Sequence, residues 1–213
     1  MWGRAVASAV VREDELTREC PAEISSARLL LRPYRSGEGC LYVDMSRENR
    51  AHLAEFMPEE LRGISAEADG ERHIQRLLRG WQDRELFVFG AWDRATGSYV
   101  GEAYLANPDW RVPSLEVGYF VVATQTGRGY ATEAGAAVVD CAFAHLGVER
   151  VDLQCRADNI ASAHVATRMG FQLEGRQRQR HRKRDGALVD RIWYGLLRSE
   201  WEAQRQSLHG IDR

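Results

Sequence analysis

Two glycines, Gly127 and Gly129, stand between an apolar run at 115–122 and a helix-forming stretch at 132–146. Glycine lets the backbone turn tightly and bring its N–H groups close to a ligand, and a helix beginning just beyond adds roughly half a positive charge at its N-terminus. That pairing suits a phosphate group. A bare G-x-G is also what an ordinary strand-to-helix turn contains, and neither G-x-G-x-x-G nor G-x-x-x-x-G-K occurs in the chain. Three other residues have side chains whose chemistry can exchange protons. Glu116 opens the apolar run before the glycines, and Ser162 lies three residues after Asn159 at the start of a helical stretch closed by Gly170. His181, whose imidazole titrates near neutrality, lies in 176–184, where six of nine residues are Lys or Arg. Each also has a bland reading: a strand-end charge, a first-turn residue and part of a solvated basic loop. Asn159 by itself is a good helix N-cap.

The elements that must carry these residues are legible from periodicity. An apolar run at 28–33 ends at Pro33 and suits a buried strand, and 38–57 and 68–84 have helical spacing, with Ile74, Leu77, Leu78 and Trp81 on one face of the second. The runs 86–92 and 99–105 flank a turn at Gly97 and form a hairpin in which Phe87, Phe89 and Trp92 serve packing. Helices at 132–146, ended by Gly147, and 159–169, ended by Gly170, alternate with strands at 115–122, 148–155 and 189–197. This order implies one mixed α/β sheet wrapped by helices, without the regular repeat of a doubly wound fold.

With 213 residues, 44% of them apolar, the chain fills one sizeable core, and 29 Lys+Arg against 31 Asp+Glu exclude a polybasic coat or an acidic disordered tail. Four dispersed cysteines without C-x-x-C and six histidines without H-E-x-x-H predict free thiols and no metal centre. Apolar residues 5–11 follow a single arginine and precede a charged run at 12–15, which fits a secretory signal poorly, and no stretch has the ~20 apolar residues of a membrane span. A cytoplasmic protein without membrane contact is the expectation.

The run Glu116-Val117-Gly118-Tyr119-Phe120-Val121, followed by Gly127-Arg128-Gly129-Tyr130-Ala131-Thr132-Glu133-Ala134, resembles the acetyl-CoA-binding motif of the GNAT N-acetyltransferase superfamily, and most nearly its RimJ/RimL-like branch. The likeness continues through Val148-Glu149-Arg150-Val151, Asn159-Ile160-Ala161-Ser162, Gly170-Phe171, Leu173-Glu174-Gly175, Asp185-Gly186, Asp190, Tyr194 and Glu200-Trp201. It implies a GNAT fold: a mixed, mostly antiparallel sheet of about seven strands, splayed between its fourth and fifth and flanked by helices. The domain would span 26–203, with an N-terminal appendage at 1–25 and a tail at 204–213.

By that resemblance Gly127, Arg128, Gly129, Tyr130, Ala131 and Thr132 cradle the diphosphate of acetyl-CoA, bound as co-substrate, and Asn159 contributes to its site. Phe120 and Val121 flank the pantetheine arm, with a backbone N–H polarising the acetyl carbonyl. Thr126 stands where the family often has Gln or Arg. The reaction implied is direct acetyl transfer to a primary amine, which needs a base for the ammonium proton and a donor for the leaving thiolate. Many members supply the donor from a tyrosine seven residues after the asparagine, where this chain has Ala166. Ser162 is then the donor, and His181 and Glu116 compete as base. The implied acceptor is a protein N-terminus, with the basic run motivating an acidic or phosphate-bearing one. A small-molecule acetyltransferase and a non-catalytic acyl-CoA sensor are the alternatives, and a homodimer is the branch's habit.

Overall fold

The structure, a computed structural model, describes residues 19–54 and 63–209. The strands are Ile24–Ser25 (β1), Leu29–Arg32 (β2), Leu86–Asp93 (β3), Tyr99–Asp109 (β4), Ser114–Val121 (β5), Arg150–Arg156 (β6), Gln172–Arg182 (β7) and Leu188–Leu197 (β8). Among the described residues they form one sheet in the order β1-β2-β3-β4-β5-β6-β8-β7, eight strands where about seven were expected, because the short β1 pairs onto the edge of β2. Every neighbouring pair is antiparallel except β5 and β6. That parallel pair is joined by a helical crossover, as parallel strands require.

The helices are Gly39–Glu48 (α1), Arg50–Leu53 (α2), Glu67–Gln82 (α3), Tyr130–Cys141 (α4), Ile160–Arg168 (α5) and Arg198–His209 (α6). The helix expected at 38–57 is two pieces with Asn49 between them, and its last residues lie outside the described ones. Asn49 ends α1 because its side chain turns back, donating to the Met45 carbonyl at 3.0 Å and accepting from Ala123 N at 2.7 Å. The helix expected at 132–146 begins two residues earlier, at Tyr130, and its last five residues widen into a π-turn, Ala142–Leu146, stopped by left-handed Gly147. Residues 176–184, expected as a basic loop, are mostly strand: β7 is an outer strand exposed along nearly its whole length and held by β8. Of the expected appendage, residues 1–18 lie outside the described ones, while Cys20 and Ile24 pack against the main core. Helix α6 runs past the expected boundary at 203.

Two apolar clusters lie on opposite faces of the sheet. One gathers Phe89, Leu105, Val138 and Leu153 beneath α4 and α5, and the other joins Tyr42, Ile74 and Val88 beneath α1 and α3. Phe89, Val138 and Ile74 are fully buried, and each such side chain contributes about 1.5–3 kcal/mol. Both faces of β4 and β5 are therefore clamped between helices, which fixes the geometry of the strand that carries Glu116. Among the described residues, no helix is long and apolar enough to cross a membrane.

Candidate active site

The parallel ladder between β5 and β6 is short. It pairs Ser114–Glu116 with Arg150–Asp152 and then stops, while β5 stays in register with β4 as far as Val121. The strands therefore part from Val117 onward, with no register shift against β4 at that point. Val122 N donates to Val100 O, so by antiparallel alternation the main-chain groups of Gly118 and Phe120 face β4, and those of Val117, Tyr119 and Val121 face the opening. Val121 O is occupied there by His52 Nε2 at 3.1 Å. Of the two residues expected along a pantetheine arm, Val121 thus presents its amide to the gap, whereas the Phe120 main chain is turned to β4 and its ring packs among the residues under α1 and α3. The amide of Tyr119 shares the open edge.

Beyond the end of β5 the chain makes a 3₁₀ turn, Ala123–Gln125, and reaches Gly127 and Gly129 at φ 74° and 79°. Gly129 is the N-cap of α4 in a left-handed conformation that a branched side chain would strain. The first α4 hydrogen bond is Glu133 N to Gly129 O, and among the described residues the amides of 127–132 have no protein acceptor. These six donors at a helix N-terminus make an anion seat. Thr126, at the position of the family departure, turns its hydroxyl back to Ala123 O at 3.0 Å.

The seat is braced from the β1–β2 turn. Glu133 accepts from Ser26 Oγ, Arg28 N and Arg28 Nε, all at 2.7 Å, and Arg28 also donates to Arg128 O and lies over the Tyr130 ring. Burial raises the Glu133 pKa, but the bonds from Ser26 and Arg28 outweigh it and hold the carboxyl below its usual range. Tyr130 donates to Asp93 Oδ2 at 2.6 Å, and this bond, with those from Thr96, lowers the Asp93 carboxyl to about 2.

Where β5 and β6 separate, a cavity of about 320 Å³ crosses the sheet. Glu116, Ser162, Asn159 and His181 all line it. Glu116 Oε2 accepts from Asn107 Nδ2 at 3.0 Å and from Gln154 Nε2 at 2.7 Å. Asn107 reaches it because β4 carries an extra residue between Ala106 and Asp109, with Asn107 left-handed at φ 53°, a conformation asparagine tolerates better than most residues. Gly118 is required beside it: a Cβ there would overlap the Tyr104 ring, which packs across that backbone. Burial, with the charges of Glu102 and Glu116, pushes the Tyr104 phenol up to about 12, so it stays protonated in the cavity wall.

Asn159 Oδ1 accepts from Ser162 N at 3.1 Å, the N-cap geometry, and this fixes the first turn of α5 with the Ser162 hydroxyl in the cavity. His181 comes from β7 next to a break in register at which Gln179 is left-handed. Tyr104, Asn107, Gln154, Arg156 and Arg191 went unmarked by sequence reasoning, since only the tertiary register brings them to this site. Among the described residues no group of His, Cys, Asp or Glu could hold a metal ion.

Chemically, the arrangement couples an anion seat to an open strand edge that ends at a carboxylate on one side of the sheet and a serine on the other. Residues 28–172 match the acetyltransferase (GNAT) domain, and the chain belongs to that family of acyltransferases. A putative ribosomal N-acetyltransferase, YdaF of Bacillus subtilis, is 32% identical over 114 residues, or 51% of this chain and 59% of that protein, so the aligned chain spans about three-fifths of that relative. A probable N-acetyltransferase from the same organism, YjcK, is 36% identical over 69% of this chain and 82% of its own length. RimL, a ribosomal L7/L12 α-N-protein acetyltransferase solved in complex with coenzyme A, superposes with a TM-score of 0.74 at 20% identity over 84% of this chain and 97% of its own. Mycobacterium smegmatis RimJ, in complex with CoA-disulfide, gives 0.76 at 22% identity over 84% and 89%.

Proposed function

We propose that this chain transfers the acetyl group of acetyl-CoA directly to the α-amine of a protein N-terminus. The observation that carries the proposal is the continuity of the open β5 edge with the six free amides at the start of α4. The diphosphate sits on 127–132, the pantetheine amides add to β5 as an extra strand, and the thioester reaches the cavity where the strands part. The Val121 amide donates to the acetyl carbonyl as charge develops on its oxygen. Glu116, held by Asn107 and Gln154, takes the ammonium proton from the side of the sheet bearing α1 and α3, and Ser162 protonates the leaving thiolate from the other side. His181 borders the acceptor.

Positioning carries much of the rate, since orienting two bound reactants is worth effective molarities of about 10⁵ M or more. Ala166 is a fully buried core residue, so the hydroxyl that α5 offers the cavity is that of Ser162. A protein acceptor is supported by the ribosomal-protein activities in the names of the similar proteins. It is supported also by the β7–β8 hairpin, whose exposed Arg178 and Arg180 stand beside the cavity wall formed by His181 and Arg191. That hairpin suits an acidic or phosphate-bearing acceptor in the cytoplasm, and its open outer edge suits a second copy of the chain in a homodimer.

Thiol release with peptides and small amines tests the reading. Peptides with acidic residues after the N-terminus are expected to be acetylated faster than small amines, with KM rising several-fold between 50 and 300 mM salt because exposed charges are screened over about 8–10 Å. A KM indifferent to salt removes the acidic acceptor, and activity confined to small amines replaces the protein-directed reading.

A further inference from the structure

The serine donor needs its own proton source, because a serine hydroxyl is a far weaker acid than the thiol it must protonate. The position where a tyrosine would stand on α5 is Ala166, sealed in the core. A phenol arrives from the sheet instead. Tyr119 of β5 places its hydroxyl 3.2 Å from Ser162 Oγ and 3.3 Å from the Ser162 carbonyl oxygen. The ring reaches the backbone of α4 at Gly135, where a Cβ would touch Tyr119 Cδ1 at 3.4 Å and overlap the Met169 sulfur. The same residue's amide faces the open edge, so one residue of β5 both lines the path of the pantetheine and supports the donor.

We propose that Tyr119 is a positioning and proton-supplying residue that acts through Ser162, its phenol turning its single proton from the Ser162 carbonyl oxygen to Ser162 Oγ so that the serine proton is aimed at the departing thiolate. This rests on the acetyl-transfer reading above. The ammonium first gives one proton to Glu116. The amine nitrogen then forms the C–N bond as the thioester C–S bond breaks, and the electron pair of that bond stays on sulfur. Sulfur takes the Ser162 proton and Ser162 takes the phenol proton, leaving transient charge on a phenolate instead of a serine alkoxide. The N–H proton released as the amide forms restores the phenol, and Glu116 passes the first proton to solvent, so acetyl-CoA and ammonium yield amide, free thiol and one proton. A phenol titrates near 10 in water, and burial raises Tyr119 further, so it is protonated throughout the neutral range and the charge it takes up lasts only until the amide N–H proton returns. The Cys155 thiol also adjoins Ser162, but burial raises it as well and leaves it a neutral neighbour.

The test is steady-state kinetics of Tyr119→Phe, Ser162→Ala and the double variant, each checked for coenzyme A binding by calorimetry. Tyr119→Phe is expected to lower kcat about 10- to 100-fold, within the range of a lost general acid, with both KM values within twofold of wild type. The double variant should be no slower than Ser162→Ala alone, since residues acting as one unit are non-additive. A Tyr119→Phe kcat within twofold of wild type, or losses that multiply in the double variant, overturns the relay. Replacing Tyr119 with a difluorinated tyrosine, whose phenol is more acidic, should move the alkaline limb of the kcat profile to lower pH, whereas a purely packing phenol leaves it in place. If the wild-type chain binds coenzyme A but acetylates no amine, the acetyl-transfer reading itself has failed and the relay falls with it.

Discussion

Glu116→Gln is expected to lower kcat by about 10²- to 10⁴-fold, the usual worth of a positioned general base, while coenzyme A binding is expected to stay at its wild-type level. Glutamine is the informative replacement because its carbonyl oxygen keeps both hydrogen bonds that now reach Glu116 Oε2, from Asn107 at 3.0 Å and Gln154 at 2.7 Å. The geometry survives and only the proton-accepting capacity is lost. His181→Ala separates the rival base: with Glu116 intact, its effect is expected below tenfold and mainly on the acceptor KM. Full activity in Glu116→Gln together with collapse in His181→Ala reverses the assignment. Rapid-quench or thiol-release assays on the two variants measure these losses directly.

The second large effect concerns stability, and it comes from a carboxylate outside the reaction. Glu102 of β4 lies beneath α1 and α3, 6% exposed, with Oε2 accepting from Tyr34 at 3.0 Å and Tyr42 at 2.9 Å, while the Tyr34 and Tyr99 hydroxyls are 2.7 Å apart. His73 of α3 packs its ring against Tyr42, 4.4 Å between centroids. Burial pushes Glu102 up to about 7 from 4.5, and the two tyrosine hydrogen bonds pull the other way without cancelling it. The folded state therefore keeps this proton at pH values where the unfolded chain has released it. The stabilisation is complete below about pH 4.5 and is lost as pH rises through about 7, amounting to about 3 kcal/mol. Carboxyls held down by their partners, such as Asp93 and Asp158 at about 2, titrate below that window with the opposite sign. Urea unfolding between pH 5 and 8 should show the decline in wild type and a nearly flat profile in Glu102→Gln. An equal slope in both assigns the effect elsewhere.

Local signals made the glycine turn and the start of α4 legible in the sequence. An apolar run, two glycines and a helical stretch need no knowledge of distant residues, and α4 formed within two residues of where its spacing placed it, beginning early because Gly129 is its N-cap. Asn159 is readable for the same reason, as an N-cap is decided within one turn. Strand β7 was hidden because Arg, Gln and His alternate along it without an apolar face. It is an edge strand held by main-chain pairing with β8 and not by burial, so it has no hydrophobic period to read. Which of Phe120 and Val121 offers its amide to the opening also depends on non-local structure, here the register between β4 and β5. The same holds for Asn107, whose single-residue bulge aims it at Glu116, and for Tyr119, which reads as one more apolar residue of its strand until α5 is packed against it.

Calorimetric titration of the folded chain with coenzyme A, repeated on Gly129→Val, tests the seat directly. Wild type is expected to saturate at one site per chain, and the valine variant, which cannot hold the left-handed turn without strain, is expected to bind at least tenfold more weakly while remaining folded at the assay temperature, its unfolding temperature lowered by a few degrees. An absence of saturable heat with wild type, or equal affinity in the two proteins, contradicts the placement of the diphosphate on the amides of 127–132.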